Sequence, residues 1–430
     1  MALPQLSSKK RVVILGAGSA GVSTAMALKN ASSSVPGIEV TLVDQKNYHT
    51  ALPLVYQVVT GSVAPGHISF PVRKLLGKQN KAEAVHFRQA RVQAVDVEKR
   101  IVITDNGELE WDFLVLAMGS IANFFGMTDV EQVALPFRSL KDSVNLHNRI
   151  LDNYEAAMLE RDEERQRELL SFVVVGGGPT GVELAAHIQE FISKVLVKEY
   201  PSLTHLARVI LVEAQDTILS GMKVKTRELA RARLQSRRVE LMLKTRIAKA
   251  WPGGVQTTDG KTIPTRTLIW CSGIKPAPVV QALPLTKAKD GRIIVNDYLQ
   301  VPESPRIYAI GDCAYLEKNG LGPYPPTFQV AFRQGPTCAK NILNAMNGKP
   351  QRPYRYKFLG QIFYVDRNAA VAELLGRVFD GCAAGMIRRV LFLAMLISYG
   401  GLRTGLKSKL SAAIDWLFAY FYNRNTAHLE

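Results

Sequence analysis

The sequence predicts an α/β protein made of two Rossmann-like dinucleotide-binding domains and a C-terminal helical segment that associates with a membrane. Three observations predict it. A glycine-rich turn stands between a β-branched run and a helical run near the start of the chain. The same pattern returns 178 − 18 = 160 residues later, and residues 381–424 combine short apolar runs with clustered cations.

The first turn lies in RVVILGAGSAG, residues 11–21, and carries Gly16-x-Gly18-x-x-Gly21. In a strand–turn–helix the first glycine permits the tight turn, the second admits a pyrophosphate close to the backbone, and the third lets helix and strand pack. The phosphate then meets the positive end of the helix VSTAMALKN. A second strand, EVTLVD, ends in Asp44, 44 − 18 = 26 residues after the middle glycine and placed to accept ribose hydroxyls.

The second turn, in SFVVVGGGPTGVELAAHIQEF, carries Gly176, Gly178 and Gly181, and RVILVEAQ supplies Glu213. Its spacing of 213 − 178 = 35 residues exceeds the usual ~20 and predicts a long first helix. Two loops, each with its own acid, read as two nucleotide sites, and two dinucleotides in one chain imply electron transfer between them. SPRIYAIGDCAYL, residues 304–316, ends a strand at Gly311-Asp312, where an aspartate can bind the ribityl chain and phosphate of a flavin. The alternative is an ordinary strand–turn.

The predicted order is a flavin (FAD) domain over 1–124 and 291–345, a second nucleotide domain over 125–290, and a C-terminal region over 346–430. A charged helix, EAAMLERDEERQRELL, connects the halves. LVLAMGSIANFFG and TLIWCSGIKP end strands at glycine turns, with Gly119 and Gly273 where the chain crosses between domains.

Of 430 residues 47% are hydrophobic, enough for full cores, and the net charge of +17 favours an anionic partner. Cys271, Cys313, Cys338 and Cys382 stand far apart, without a Cys-x-x-Cys pair or ligand-spaced histidines, so neither disulfide framework nor metal site is expected. MALPQLSSKK has neither signal nor transit character, and no run reaches the ~20 apolar residues of a bilayer span. No helix-turn-helix or basic aromatic module points to nucleic acid.

These pieces, with NYHTALPLVYQVVTGSVAP, GGGPTGVELA, AIGDCA, PPTFQVAFRQG and RNAAVAEL, resemble the type II NADH:quinone oxidoreductases over essentially the whole chain. The resemblance implies FAD held by Gly16, Gly18, Gly21, Asp44, Gly119, Gly311 and Asp312, and NADH held by Gly176, Gly178, Gly181, Glu213 and Gly273. It implies a membrane quinone as acceptor, no proton pumping, a homodimer, and a peripheral place on the cytoplasmic face of the cell membrane. The disulfide reductases and sulfide:quinone oxidoreductases of this fold need reactive cysteines, and Cys271 and Cys313 read as packing residues. In PPTFQVAFRQG, Thr327 caps a helix whose first turns carry Gln329 and Arg333 near the quinone. The family has glutamine at both positions. Arg333 either stabilises an anionic quinol or reaches to solvent and leaves Gln329 alone. Glu183 is a candidate acid near nicotinamide and flavin, or simply an acid favoured at a helix start. The rivals are a soluble flavin reductase serving an iron–sulfur protein and a redox-sensing regulator.

The tail carries VLFLAMLISY between Arg388-Arg389 and Arg403, Lys407 and Lys409, followed by Trp416, Phe418, Tyr420, Phe421 and Tyr422. Short apolar helices, cations and interfacial aromatics predict a segment lying in the headgroup plane of an anionic membrane surface. Helices packed on the body or in a dimer are the alternative. Removing residues after about Asp380 is expected to free the protein from detergent and spare reduction by NADH.

Overall fold

The apolar strand Lys10–Leu15 is the centre of the first half, with Val12, Ile14 and Leu15 fully buried. Ile38–Asp44 pairs parallel on one side and Phe113–Leu116 parallel on the other, so Val12 faces both Val40 and Phe113. The sheet extends outward through Val85–Gln89 on one flank and Ser304–Ala309 on the other, and Gln300–Val301 closes the edge antiparallel. Runs buried on both faces are what a parallel sheet covered by helices requires. This computed structural model describes residues 9–32, 37–77, 85–317, 322–356, 360–366, 369–398, 406–421 and 424–429.

A second sheet repeats the plan: Leu135–Pro136, Thr267–Trp270, Ser171–Val175, Arg208–Val212 and Val239–Met242, in that spatial order and all parallel. Each half also inserts an antiparallel three-stranded meander before its returning strand, Val92–Glu110 in one and Ile247–Thr265 in the other. The second-loop helix, Pro179–Phe191, runs on through a π-helical turn at Ile192–Leu196 to Glu199. That continuation is the long helix the 35-residue spacing predicts.

The chain crosses between the halves after Phe113–Leu116 and after Thr267–Trp270. There Ser120–Ala122 pairs antiparallel with Ile274–Pro276. Gly119 and Gly273 turn at φ +67° and +72°, where a side chain is strained. The charged connector is two helices. Leu140–Leu159, opened by a Ser139–Asp142 capping box, stops at an extended Glu160, and Glu163–Leu169 begins from an Asp162 cap.

Phe328–Met346 starts where expected, with Thr327 Oγ1 accepting from the Val330 N–H at 3.4 Å. It lies across the first-loop helix, Ser19–Ser32. A Cβ on Gly335 would fall 1.9 Å from Ser23 Oγ, which explains why glycine stands at that crossing. The C-terminal region contains a three-stranded antiparallel sheet, Gly360–Asp366, Ala369–Leu374 and Arg377–Asp380, ahead of two helices, Gly381–Ser398 and Leu406–Phe421. The strands of this sheet include AAVAEL; Arg367 and Asn368 of RNAAVAEL lie outside the described residues. Among the described residues no helix is long and apolar enough to cross a membrane.

Candidate functional site

The two glycine loops have the same construction, bond for bond. Gly16 N–H donates to the Val43 carbonyl and Gly176 N–H to that of Val212, both at 2.8 Å. Ala117 N–H bonds Leu15 and Cys271 N–H bonds Val175, each at 2.9 Å. A Cβ on Gly21 would sit 1.8 Å from the Gly16 oxygen, and one on Gly181 1.9 Å from the Gly176 oxygen. Gly18 and Gly178 instead face open space, with nothing within 4 Å of an added Cβ. The outer glycines are therefore fixed by the protein's own packing. The middle ones leave room for a phosphate against the backbone.

Each loop is tied to its acid. The Ala17 N–H donates to Asp44 Oδ2 at 2.7 Å and the Lys46 N–H to Oδ1 at 2.8 Å. In the second loop the Gly177 N–H donates to Glu213 Oε2 at 2.5 Å and the Gln215 N–H to Oε1 at 2.8 Å. Burial raises the Asp44 carboxyl above the usual range, against the pull of those N–H donors.

Gly311 and Asp312 follow the strand Ser304–Ala309, beside the ends of Lys10–Leu15 and Phe113–Leu116. The first loop, Gly119 and Asp312 thus share the carboxyl edge of one sheet, the ligand side of an open α/β fold. Gly311 turns at φ +71°, with Ala20 and Ala331 against the space a side chain would need. Its N–H donates to buried Gln334 Oε1 at 2.6 Å. Asp312 Oδ2 accepts from Ser120 Oγ at 2.7 Å and from Arg138 Nη2 at 2.9 Å. Sequence reading singled out none of Gln334, Ser120 or Arg138. Asp312 is 192 residues from Ser120 and 174 from Arg138, and only the fold brings them together.

Gln329 and Arg333 meet at a tyrosine. The Gln329 side chain donates to the Gly360 carbonyl at 3.0 Å and accepts from Tyr356 Oη at 2.5 Å; exposed Arg333 stacks over that ring, 5.3 Å from its centre. Glu183, partly buried, accepts the Tyr364 N–H at 2.9 Å. Burial raises its carboxyl to about 7, and Arg388 opposes the rise. A carboxyl raised in the folded state adds stability below its unfolded value near 4.5 and loses it as pH climbs towards 7. Between about pH 5 and about pH 8, the urea midpoint of the wild type is expected to fall relative to that of Glu183→Gln.

One face of the second-loop helix, with Glu183, His187 and Glu190, lies against the C-terminal region. His187 stacks on Tyr364 with ring centres 3.7 Å apart, Arg388 lies 4.7 Å from the centre of the Tyr364 ring, and Glu190 pairs with Arg424 in a buried ion pair. Deleting residues after Asp380 would take Arg388 and Arg424 from this face, whereas Tyr364 would stay on His187 and Glu183. The cation bracket also changes. Arg388 and Lys409 are 9% and 4% exposed, Arg389 and Lys407 are exposed, and Arg403 lies outside the described residues. Arg388 turns inward because the Tyr364 and Phe392 rings, each 4.7 Å away, offer it a cation–π seat. Trp416 also turns inward and donates to Gln57. The side chains of Tyr420, Phe421 and Tyr422 are outside the described set.

The four cysteines are free, and burial pushes the Cys271 and Cys313 thiols up to about 12 and about 11. Neither is the low-pKa thiol that sulfur chemistry needs.

Paired loops that open towards one junction define an oxidoreductase holding two dinucleotides. Residues 10–335 match the pyridine nucleotide-disulphide oxidoreductase family. The chain is 30% identical to the type II NADH:quinone oxidoreductase Ndh of Mycobacterium tuberculosis, over 97% of this chain and 89% of that protein. It is 28% identical to a probable NADH dehydrogenase of Dictyostelium discoideum, over 97% and 90%. Its fold superposes on NDH2 from Plasmodium falciparum in complex with NADH with a TM-score of 0.87 at 20% identity, covering 97% and 100% of the two chains. The chain belongs to the pyridine nucleotide-disulphide oxidoreductases and, within them, to the type II NADH:quinone oxidoreductases.

Proposed function

We propose that this chain oxidises NADH with FAD held at the first loop and NADH at the second, and reduces a quinone drawn from the membrane. The observation that carries this is the duplicated loop, with its open middle glycine and its acid bonded to the loop backbone. The residues suit both groups: Asp44 and Glu213 retain oxygen lone pairs for ribose hydroxyls, and the open faces of Gly18 and Gly178 suit pyrophosphates. FAD bound there supplies a carrier that accepts hydride from NADH and yields two electrons to a quinone. NADH + H⁺ + quinone gives NAD⁺ + quinol, so one proton must come from solution.

Asp312 would orient the ribityl chain of a bound flavin, and the positive end of Phe328–Met346 would favour negative charge near it. Glu183, poised near neutral pH beside the second loop, can hold or release a proton there. Gln329 and Arg333 serve the quinone side. Gln329 acts by fixing Tyr356, since its amide is already engaged, and Arg333 offers an exposed cation on the same ring. Gln329→Ala and Arg333→Ala are expected to keep flavin content and bleaching by NADH, and to slow reoxidation by quinone roughly ten-fold. Normal reoxidation in Arg333→Ala alone would make that arginine a bystander.

Glu213 sets the preference for NADH, because a 2′-phosphate would meet its carboxylate and Ala214-Gln215 offers no cation. Comparable kcat/KM for NADH and NADPH would refute this, and Glu213→Gln is expected to narrow the ratio.

The membrane face is an apolar stripe on the two C-terminal helices: Met386 (62% exposed) and Val390 (66%) on the first, Leu410 (54%), Ile414 and Leu417 (58%) on the second. Exposed Arg389 and Lys407 flank it with the charge an anionic surface attracts. Peripheral attachment on the side that meets the NADH pool follows. A quinone dissolved in lipid then reaches the protein without leaving the bilayer.

A further inference from the structure

The cross-link at Asp312 has a part that the two-nucleotide reading leaves unused. Arg138 stands in the second half, between its edge strand Leu135–Pro136 and the helix Leu140–Leu159, yet its guanidinium reaches the carboxylate assigned to the flavin in the first half. Three chain segments meet there. Arg138 Nη2 donates to Asp312 Oδ2 at 2.9 Å and to Ser120 Oγ at 2.6 Å, while Ser120 Oγ donates to the same carboxylate oxygen at 2.7 Å. All three bonds are part-buried, with the Asp312 side chain 18% exposed.

The backbone that carries Arg138 is held rigidly. Its own N–H and that of Ser139 both donate to Asp142 Oδ2, at 2.9 and 2.8 Å, within the capping box of the helix. The charge lies at the meeting of the halves, close enough to act on the Tyr56 hydroxyl and the Cys271 thiol. Tyr56 in turn bonds Thr180 of the second loop. Arg138 Nε is buried with no hydrogen-bond partner among the described residues, so the guanidinium retains a donor.

The geometry points to Arg138 as a positioning residue for FAD: an arginine of the NADH half that holds the Asp312 carboxylate aimed for the flavin. Both Arg138 contacts converge on one oxygen, Oδ2, directly and through Ser120, which leaves Oδ1 available to accept from the ribityl hydroxyls. A charge-assisted, part-buried pair is stronger than a surface ion pair. Because the residue comes from the other half, seating the flavin also braces the two nucleotide domains against each other. The inference rests on the flavin role proposed for Asp312.

A double-mutant cycle on the full chain tests both points. FAD is stripped and titrated back into wild type, Arg138→Ala, Asp312→Asn and the double variant, with the dissociation constant read from flavin fluorescence. Arg138→Ala is expected to weaken FAD binding about ten-fold or more, and to add little once Asp312 is asparagine. Arg138→Lys, which keeps the charge without the planar fork, is expected to recover part of the loss. If Arg138→Ala misfolds, the lysine variant completes the same cycle. Wild-type affinity in Arg138→Ala, or a full additional loss on top of Asp312→Asn, would overturn the proposal. Wild-type affinity in Asp312→Asn would overturn the flavin role of Asp312 and this proposal with it, a result distinguishable from failure at Arg138 alone.

Discussion

Gly181→Val is expected to abolish reduction of the flavin by NADH while the protein still purifies yellow. A β-carbon at this position would lie 1.9 Å from the Gly176 carbonyl oxygen and 3.4 Å from Leu211 Cδ1. The helix Pro179–Phe191 would have to leave the strand Ser171–Val175 to make room. The N–H groups that meet a pyrophosphate would move with it. Displacing a tight turn by more than an ångström costs on the order of 3 kcal/mol, so NADH binding should fall about 100-fold or further. Gly21→Val should do the converse. Its β-carbon would lie 1.8 Å from the Gly16 oxygen, and the variant should lose flavin. Flavin absorbance on purification and the NADH dependence of bleaching separate the two. Loss of flavin in Gly181→Val with retention in Gly21→Val would reverse the assignment of the loops.

Replacing Leu410, Ile414 and Leu417 together by glutamate should release the protein from anionic vesicles and leave it soluble without detergent. Each of these side chains contributes ~1.5 kcal/mol or more if it enters the lipid interface, and three new negative charges repel the same surface. Partitioning is expected to drop by on the order of 1,000-fold. Unlike truncation, this variant keeps Arg388 on Tyr364 and the Arg424–Glu190 pair. Activity with a long-chain quinone should therefore fall far more than activity with a short soluble analogue. If the variant instead changes only from dimer to monomer and still binds vesicles, the stripe is a subunit interface.

What the sequence made legible was local. Gly16, Gly21 and Gly181 announce themselves because a β-carbon would collide with a neighbouring carbonyl, and Gly176 because it turns at φ +113°. Asp44 ends the next strand and Glu213 directly follows its own, so the strand pattern finds both despite the longer second spacing. Arg138, Ser120 and Gln334 carry no such signal. An arginine before a capping serine, a serine after a glycine turn and a glutamine within a helix acquire their partners only when sheets assembled from distant segments bring their ends together. The tail misled for a related reason. Composition identifies short apolar runs beside cations, but it cannot foresee that Tyr364 and Phe392 would draw Arg388 inward or that Gln57 would hold Trp416.

The most direct measurement is anaerobic stopped-flow absorbance of the purified, full-length protein in two steps. NADH should bleach the flavin in the first mixing, and quinone should restore the full oxidised spectrum in the second, with one quinol formed per NADH consumed. A flavin that NADH does not bleach, or that stays bleached until oxygen enters although quinone is present, would contradict the function proposed here.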